Sequence, residues 1–231
     1  MISWDKTEGI KLMNIIKDFV PESKYKIKCP YPMSPEFIVV HNTANDASAK
    51  DEVSYMKNND SSTSYHFAVD DIEIRQSLPL DRNGWHAGDG NEGNGNRYGI
   101  SIEICYSKSG GENFNKAEEK AAMLIASLLK ERNWGINKVK KHQDFSGKYC
   151  PHRTLDMGWD RFINKVKHYM EEDMSKFVDI DGHYAEKAII DLFEMGVVKG
   201  IDETHFKPDE PIKRSDVAII ARNVIKYITG K

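Results

Sequence analysis

Between Lys140 and Pro151 the chain reads Lys-Lys-His-Gln-Asp-Phe-Ser-Gly-Lys-Tyr-Cys-Pro, which puts His142, Lys148 and Cys150 in one short stretch. Gly147 and Pro151 interrupt it, so a loop is expected, able to turn an imidazole, an amine and a thiol toward a common point. Histidine and cysteine are ligand types that zinc prefers, and a catalytic zinc takes three protein ligands plus an open position. The third must come from elsewhere in the chain. His41 follows the apolar run Phe37-Ile38-Val39-Val40, and a buried strand there would hold it rigidly. Taken alone, His41 reads as a hydrogen-bonded histidine at the edge of a core.

At 231 residues the chain can hold one good-sized core and a small second domain. A formal net charge of −3 argues against a general nucleic-acid binder. No apolar run approaches the ~20 residues of a membrane span. The stretch Met1-Ile2-Ser3-Trp4-Asp5-Lys6 has no basic segment leading into an apolar one, so no secretory signal is expected and synthesis in the cytoplasm is. Cys29, Cys105 and Cys150 are too few and too scattered for a disulfide framework, and they suit reduced thiols. Cys29 and Cys105 sit among apolar or aromatic neighbours and read as small hydrophobes.

Apolar positions at Ile10, Met13 and Ile16 predict a short helix over Thr7–Phe19, stopped by Pro21. An irregular, proline-rich lead-in follows, then the strand Phe37–Val40 and a helix over Ala49–Asn58 with Val53 and Met56 on one face. Tyr65–Asp70 and Ile72–Gln76 flank the acidic pair Asp70-Asp71, a hairpin signal. The Gly- and Asn-rich stretch from Gly84 to Asn96 is expected to lie outside regular structure. Within it Trp85 and His86 either stack on a sugar or peptide, or pin the loop down. Ile100, Ile102 and Ile104 alternate with Ser101, Glu103 and Cys105, the clearest strand in the chain. Glu103 therefore points away from the isoleucines; it is a surface carboxylate if that face is solvated, and a candidate base if it meets the zinc loop. Asn115 is positioned to cap a core-packing helix that Gly135 closes, and a last helix carries Trp159, Phe162, Ile163, Val166 and Met170.

A charged connector at Glu171–Lys176 separates this domain from two amphipathic segments, Ala185–Met195 and Arg214–Ile228, joined by a loop with Gly196, Gly200, Pro208 and Pro211. So small a helix-loop-helix has a marginal core of its own. The expected organisation is an α/β domain over residues 1–172, a linker over 173–176 and an all-α module over 177–231.

Four segments, in order, carry a resemblance: Ile38-Val39-Val40-His41-Asn42-Thr43, Tyr65-His66-Phe67-Ala68-Val69-Asp70, Ser101-Ile102-Glu103-Ile104-Cys105-Tyr106, and Lys141-His142 through Gly147-Lys148-Tyr149-Cys150-Pro151-His152-Arg153. Residues 22–170 resemble the zinc-dependent N-acetylmuramoyl-L-alanine amidases of the peptidoglycan-recognition-protein-like fold, as found in Bacillus and Clostridium phage endolysins. The resemblance implies a central mixed sheet flanked by helices, zinc as cofactor, and His41, His142 and Cys150 as its ligands. Glu103 and Lys148 are implied as acid/base and oxyanion-stabilising groups. Part of the family uses a tyrosine, matching Tyr65; a carboxylate is the better base near neutral pH because a phenol titrates near ~10, so Tyr65 is expected to position. Trp85, His86 and Arg153 are the expected substrate contacts. His66 and His152, within the matched segments, are further candidates for supporting or substrate-binding groups, and His168, His183 and His205 are expected to lie outside this site.

Residues 177–230 resemble a single S-layer homology repeat, on Phe177-Val178-Asp179-Ile180, His183-Tyr184-Ala185, Phe206-Lys207-Pro208 and Ile212-Lys213-Arg214-Ser215-Asp216. Tyr184 stands where a tryptophan is usual, and Lys213-Arg214-Ser215-Asp216 replaces the commoner Thr-Arg-Ala-Glu. The resemblance implies a module that binds secondary cell-wall polymers, with Tyr184, Arg214 and Asp179 as contacts. A lone repeat, where relatives show three packed together, implies self-association through this module. An internal start at Met174 would supply free copies of it. The expected activity is that of an endolysin-type peptidoglycan hydrolase of the Gram-positive wall, released by a holin or at lysis, with no nucleic-acid or membrane partner. The alternative is a non-catalytic peptidoglycan-recognition protein.

Overall fold

The structure, a computed structural model, describes residues 15–171, 177–180, 182–202 and 204–229. It divides into two compact units, residues 1–170 and 171–231. The expected helix residues 7–14, the linker at 173–176 and Met174 lie outside the described residues.

The first unit is built on six strands: β1 (Ile15–Lys17), β2 (Phe37–Asn42), β3 (Phe67–Val69), β4 (Ile74–Gln76), β5 (Gly99–Ile104) and β6 (Val139–Lys141). Their order is β1-β4-β3-β5-β2-β6. The β3–β4 hairpin is antiparallel, with Val69 opposite Ile74; the other pairings of these strands are parallel. The mixed sheet expected from the family resemblance is thus present. Its helices are α1 (Tyr25–Lys28), α2 (Ala49–Asn58), α3 (Asn94–Tyr98), α4 (Gly111–Glu131), α5 (Gln143–Ser146), α6 (His152–Asp156) and α7 (Trp159–Glu171).

Strand alternation sets the two layers. Ile38, Val40, Ile100, Ile102 and Ile104 point to one face, where Phe114, Ala121, Leu124 and Leu128 of α4 and Phe162 and Val166 of α7 close the main core. Ala68 and Cys105 point to the other, under Ala49, Val53 and Met56 of α2. The Ser48 hydroxyl accepts the Asp51 amide and starts α2 at the edge of this second layer. The far half of that face carries His41 and Glu103, adjacent in register on β2 and β5.

Four local expectations are corrected. Ile15–Lys17 is a strand, not helix: its backbone groups pair with β4, in register Ile15 to Ile74. Helix α4 begins four residues before Asn115, with Gly110 at φ 72° as its N-cap, and Asn133, at φ 53°, makes the left-handed turn beyond its end, ahead of Gly135. The Gly- and Asn-rich stretch contains α3, because the Asp89 carboxylate accepts the Gly95 and Asn96 amides at its start. The histidine–cysteine loop likewise contains the single turn α5, closed by Gly147 at φ 74°.

The second unit carries α8 (Glu186–Glu194) and α9 (Arg214–Thr229). Phe177, Ile180 and Ile189 form its core with Phe193 and Phe206 against them. Asn223 of α9 donates to the Val197 carbonyl at 3.0 Å.

Candidate active site

Three elements meet at one point. His41 lies near the end of β2, His142 directly after β6, and Cys150 at the end of the loop after α5. Strand β6 lies directly beside β2, so the His142 amide reaches the Val40 carbonyl at 3.3 Å. The Gln143 amide donates to the Cys150 carbonyl at 3.0 Å and closes the loop on itself. Asn42 anchors the next helix: its side-chain oxygen accepts the amides of Arg153 and Thr154 at 2.9 and 3.1 Å, which seats α6 against β2. Cys150 is thereby brought to His41 without being next to it in any strand. The ligand atoms of His41, His142 and Cys150 lie within 4.8 Å of one another, and all three side chains are buried.

The contacts define which atoms face inward. His41 Nδ1 lies 3.0 Å from His142 Nδ1 and 3.9 Å from Cys150 Sγ. A Glu103 carboxylate oxygen is 3.9 Å from the same nitrogen. Burial, then the neighbouring histidines and Lys148, holds His41 well below the usual imidazole range; burial and Lys148 lower His142 as well. Burial thus favours the neutral form of both rings, and two ring nitrogens and a sulfur atom converge as potential metal donors. That donor set, two imidazoles and a thiol that burial pushes up to about 11 in the absence of a cation, fits a thiophilic divalent ion such as zinc.

Glu103 is only 16% exposed. Burial and the charge of Glu52 push its carboxyl up to about 8, while the Lys148 ammonium pulls it down. The Tyr65 hydroxyl is buried and, among the described residues, has no hydrogen-bond partner. Burial first, then Glu52 and Glu103, raises its pKa, which excludes a phenolate near neutral pH.

A cleft of about 1240 Å³ opens over these groups and is lined by His41, Tyr65, Trp85, His86, Glu103, His142, Lys148 and Cys150. Its lining also includes Lys26, Tyr31, Tyr55, Gly88, Gly90 and Asn91. Trp85 is both tethered and available: its indole N–H donates to the Ile27 carbonyl at 3.0 Å, and its ring meets Tyr31 edge-on. His86 is buried against His41, Nδ1 to Nε2 at 3.1 Å, and so faces the histidine cluster. Arg153 lies outside the cleft. Its guanidinium donates to the Ser107 and Lys108 carbonyls and stands over the Phe114 ring, which leaves the expected substrate contact without geometry to support it. His66 is internal, held by Ser101 and the Arg82 carbonyl, and His152 turns to the Ser107 carbonyl. The Glu52 carboxylate, which the sequence pattern did not single out, lines the cleft from α2 and accepts from Asn45 at 2.5 Å.

In the second unit Tyr184 is 94% exposed, against the His183 ring, and Arg214 is exposed at the start of α9. Asp179 is different. Its two oxygens accept the Phe206 and Lys207 amides at 2.9 and 2.7 Å, so it braces the loop.

Residues 31–153 match the family model described as N-acetylmuramoyl-L-alanine amidase. The chain belongs to this family. Residues 176–218 match the S-layer homology domain model. Over 164 residues the chain is 57% identical to N-acetylmuramoyl-L-alanine amidase CwlA of Bacillus subtilis (strain 168), which covers 71% of this chain and 59% of that protein. It is 59% identical to XlyB of the same organism, over 69% of this chain and 49% of the relative. The chain thus spans about half to three-fifths of the length of these curated amidases. The solved structure of PlyL is similar at a TM-score of 0.65 and 53% identity, over 67% of this chain and 97% of PlyL.

Proposed function

We propose that the first unit hydrolyses the amide between N-acetylmuramic acid and L-alanine of peptidoglycan, with zinc held by His41, His142 and Cys150. The observation that carries this reading is the convergence of those three donors beside the buried Glu103, at the floor of an open cleft. When bound, zinc would supply Lewis acidity, polarising the scissile carbonyl and making water a better nucleophile.

The chain's own residues account for the remaining requirements. A C–O bond forms and the C–N bond breaks, so one proton must leave the water and one must reach the departing amine. Glu103 serves both transfers: a buried carboxyl near neutrality can take the first proton and return it. Lys148 lines the cleft and offsets negative charge developing on the carbonyl oxygen. Tyr65, an unpartnered buried donor, orients the substrate rather than abstracting a proton.

The second unit, on this reading, holds the enzyme to a secondary polymer of the Gram-positive wall, with the exposed Tyr184 and Arg214 as its contacts. The same reaction serves a phage lysin or a host autolysin. Turbidity of purified Gram-positive walls tests the proposal. Clearing should need zinc, stop with chelator and release new N-terminal alanine without new reducing sugar ends. In Glu103→Ala it should fall by about 100-fold or more, on the scale of a lost general base. Tight wall binding without clearing would make the chain a recognition protein instead.

A further inference from the structure

The two histidines of the metal reading are each held from behind by consecutive residues of one loop. His41 Nε2 meets His86 Nδ1 at 3.1 Å. His142 Nδ1 is turned to His41, so its Nε2 is the nitrogen that faces the loop, beside Gly88, where the Ala87 carbonyl favours a proton on the ring. A carbonyl can only accept, so the His142 proton sits on Nε2 and its Nδ1 presents a lone pair toward His41. His86 Nδ1 is taken up by His41, so the Gly99 carbonyl that favours a proton on the His86 ring acts at Nε2, a buried atom with no other partner among the described residues. With its proton there His86 accepts at Nδ1, and His41 carries its own proton on Nε2 and presents Nδ1 in the same way.

The pair His86-Ala87 is itself fixed by a single atom. Asn96 Oδ1 accepts the amides of both His86 and Ala87, each at 2.8 Å. Asn96 is buried, its Nδ2 donates to the Gly90 carbonyl at 3.0 Å, and its own amide is held by Asp89. Its neighbour Gly95 presses on Ala87 with no room for a Cβ. These contacts leave the loop no freedom where it touches the two rings.

Resting on the metal reading above, we infer that His86 and Asn96 are positioning residues for the metal centre. His86 and the Ala87 carbonyl hold His41 and His142 as Nε2-protonated tautomers with both Nδ1 atoms turned inward, and Asn96 holds the two acceptors in place. Hydrogen bonds behind metal-ligating histidines fix ring orientation and tautomer, and their loss typically weakens metal affinity by about 10–100-fold. Neither residue needs to touch substrate for this role.

The test is zinc affinity of the full chain, by competition with a chromophoric chelator, with ¹⁵N-detected imidazole spectra of the same samples. The wild type should bind one zinc and show His41 and His142 protonated at Nε2. His86→Phe and Asn96→Leu, which remove the acceptors, should each lose about 10–100-fold in zinc affinity. His86→Gln and Asn96→Asp, which keep a side-chain acceptor, should recover most of it and report on the role even where a bulkier variant folds poorly. A wild type that takes no zinc would sink the metal reading itself. Wild-type zinc binding with Nδ1-protonated rings, or undiminished affinity in folded His86→Phe and Asn96→Leu, would overturn this inference and leave the metal reading standing.

Discussion

His66 shows how burial of one titratable side chain becomes a property of the whole unit. Its Nδ1 accepts the Ser101 amide at 3.0 Å and its Nε2 faces the Arg82 carbonyl at 2.9 Å, so both ring nitrogens are satisfied only in the neutral form. Burial lowers its pKa from 6.5 to about 4. Between those values the unfolded chain binds a proton that the folded chain refuses, so stability is full above 6.5 and falls as pH drops toward 4. The contribution amounts to about 3 kcal/mol, at ~1.4 kcal/mol for each tenfold difference in proton affinity. Urea unfolding of the zinc-free wild type and of His66→Gln from pH 7.5 to pH 4 should therefore diverge, the wild type losing about 3 kcal/mol more. Parallel curves would mean that the ring is protonated in the fold.

At the scale of elements, what the sequence made legible was whatever depends on local pattern. The alternation Ile100, Ile102, Ile104 placed β5 and turned Glu103 to the opposite face, where β2 brings His41 beside it. Strand β1 was not legible, because three residues acquire strand geometry only from the edge of β4. Helix α3 was hidden by its glycines and asparagines, which disfavour helix until the Asp89 carboxylate caps it from six residues away. The spacing of His142 and Cys150 pointed to a metal, whereas the partners of Arg153 are carbonyls some 45 residues distant, which no local pattern signals. The role of His86 beside His41 likewise depends on two loops meeting across 45 residues. Helix α3 also supports a prediction. A Cβ on Gly95 would stand 2.5 Å from the Ala87 Cβ and 2.8 Å from the Phe145 ring. Helix propensity favours alanine over glycine by only ~1 kcal/mol, and overpacking of a filled site costs ~1–3 kcal/mol. Gly95→Ala should therefore lower the urea midpoint, with little change in the slope. An unchanged or higher midpoint would show that the contact between α3, Ala87 and α5 yields easily.

For the whole molecule, the two units differ in the way they treat their polar groups, which supports the proposed division between reaction and wall attachment. The first gathers buried histidines and a buried cysteine with the partly shielded Glu103 in one cleft, which suits chemistry. In the second, the aromatic core of Phe177, Phe193 and Phe206 is internal, and Asp179 is consumed by two backbone amides. Tyr184 and Arg214 remain outside, so neither contributes a buried contact that folding requires. Substituting them should leave stability nearly unchanged, within ~0.5 kcal/mol for surface positions. Binding to an acidic wall polymer should respond differently, since an exposed ring offers a stacking surface and a guanidinium pairs with carboxylate or phosphate in two parallel hydrogen bonds. In the full chain, Tyr184→Ala and Arg214→Ala should each weaken cosedimentation with purified walls by up to about tenfold, as for the loss of one stacking contact of ~0.5–1.5 kcal/mol and of one charge-assisted contact of ~1.5 kcal/mol. Hydrolysis of a small soluble muramoyl peptide by the same variants should remain at the wild-type rate, because nothing about the first unit has changed. Asp179→Ala should lose wall binding together with thermal stability, since it releases the amides of Phe206 and Lys207. If the two surface variants bind walls as the wild type does, the contacts lie elsewhere on this unit. If they lose soluble hydrolysis as well, the second unit acts on the reaction and not only on its location.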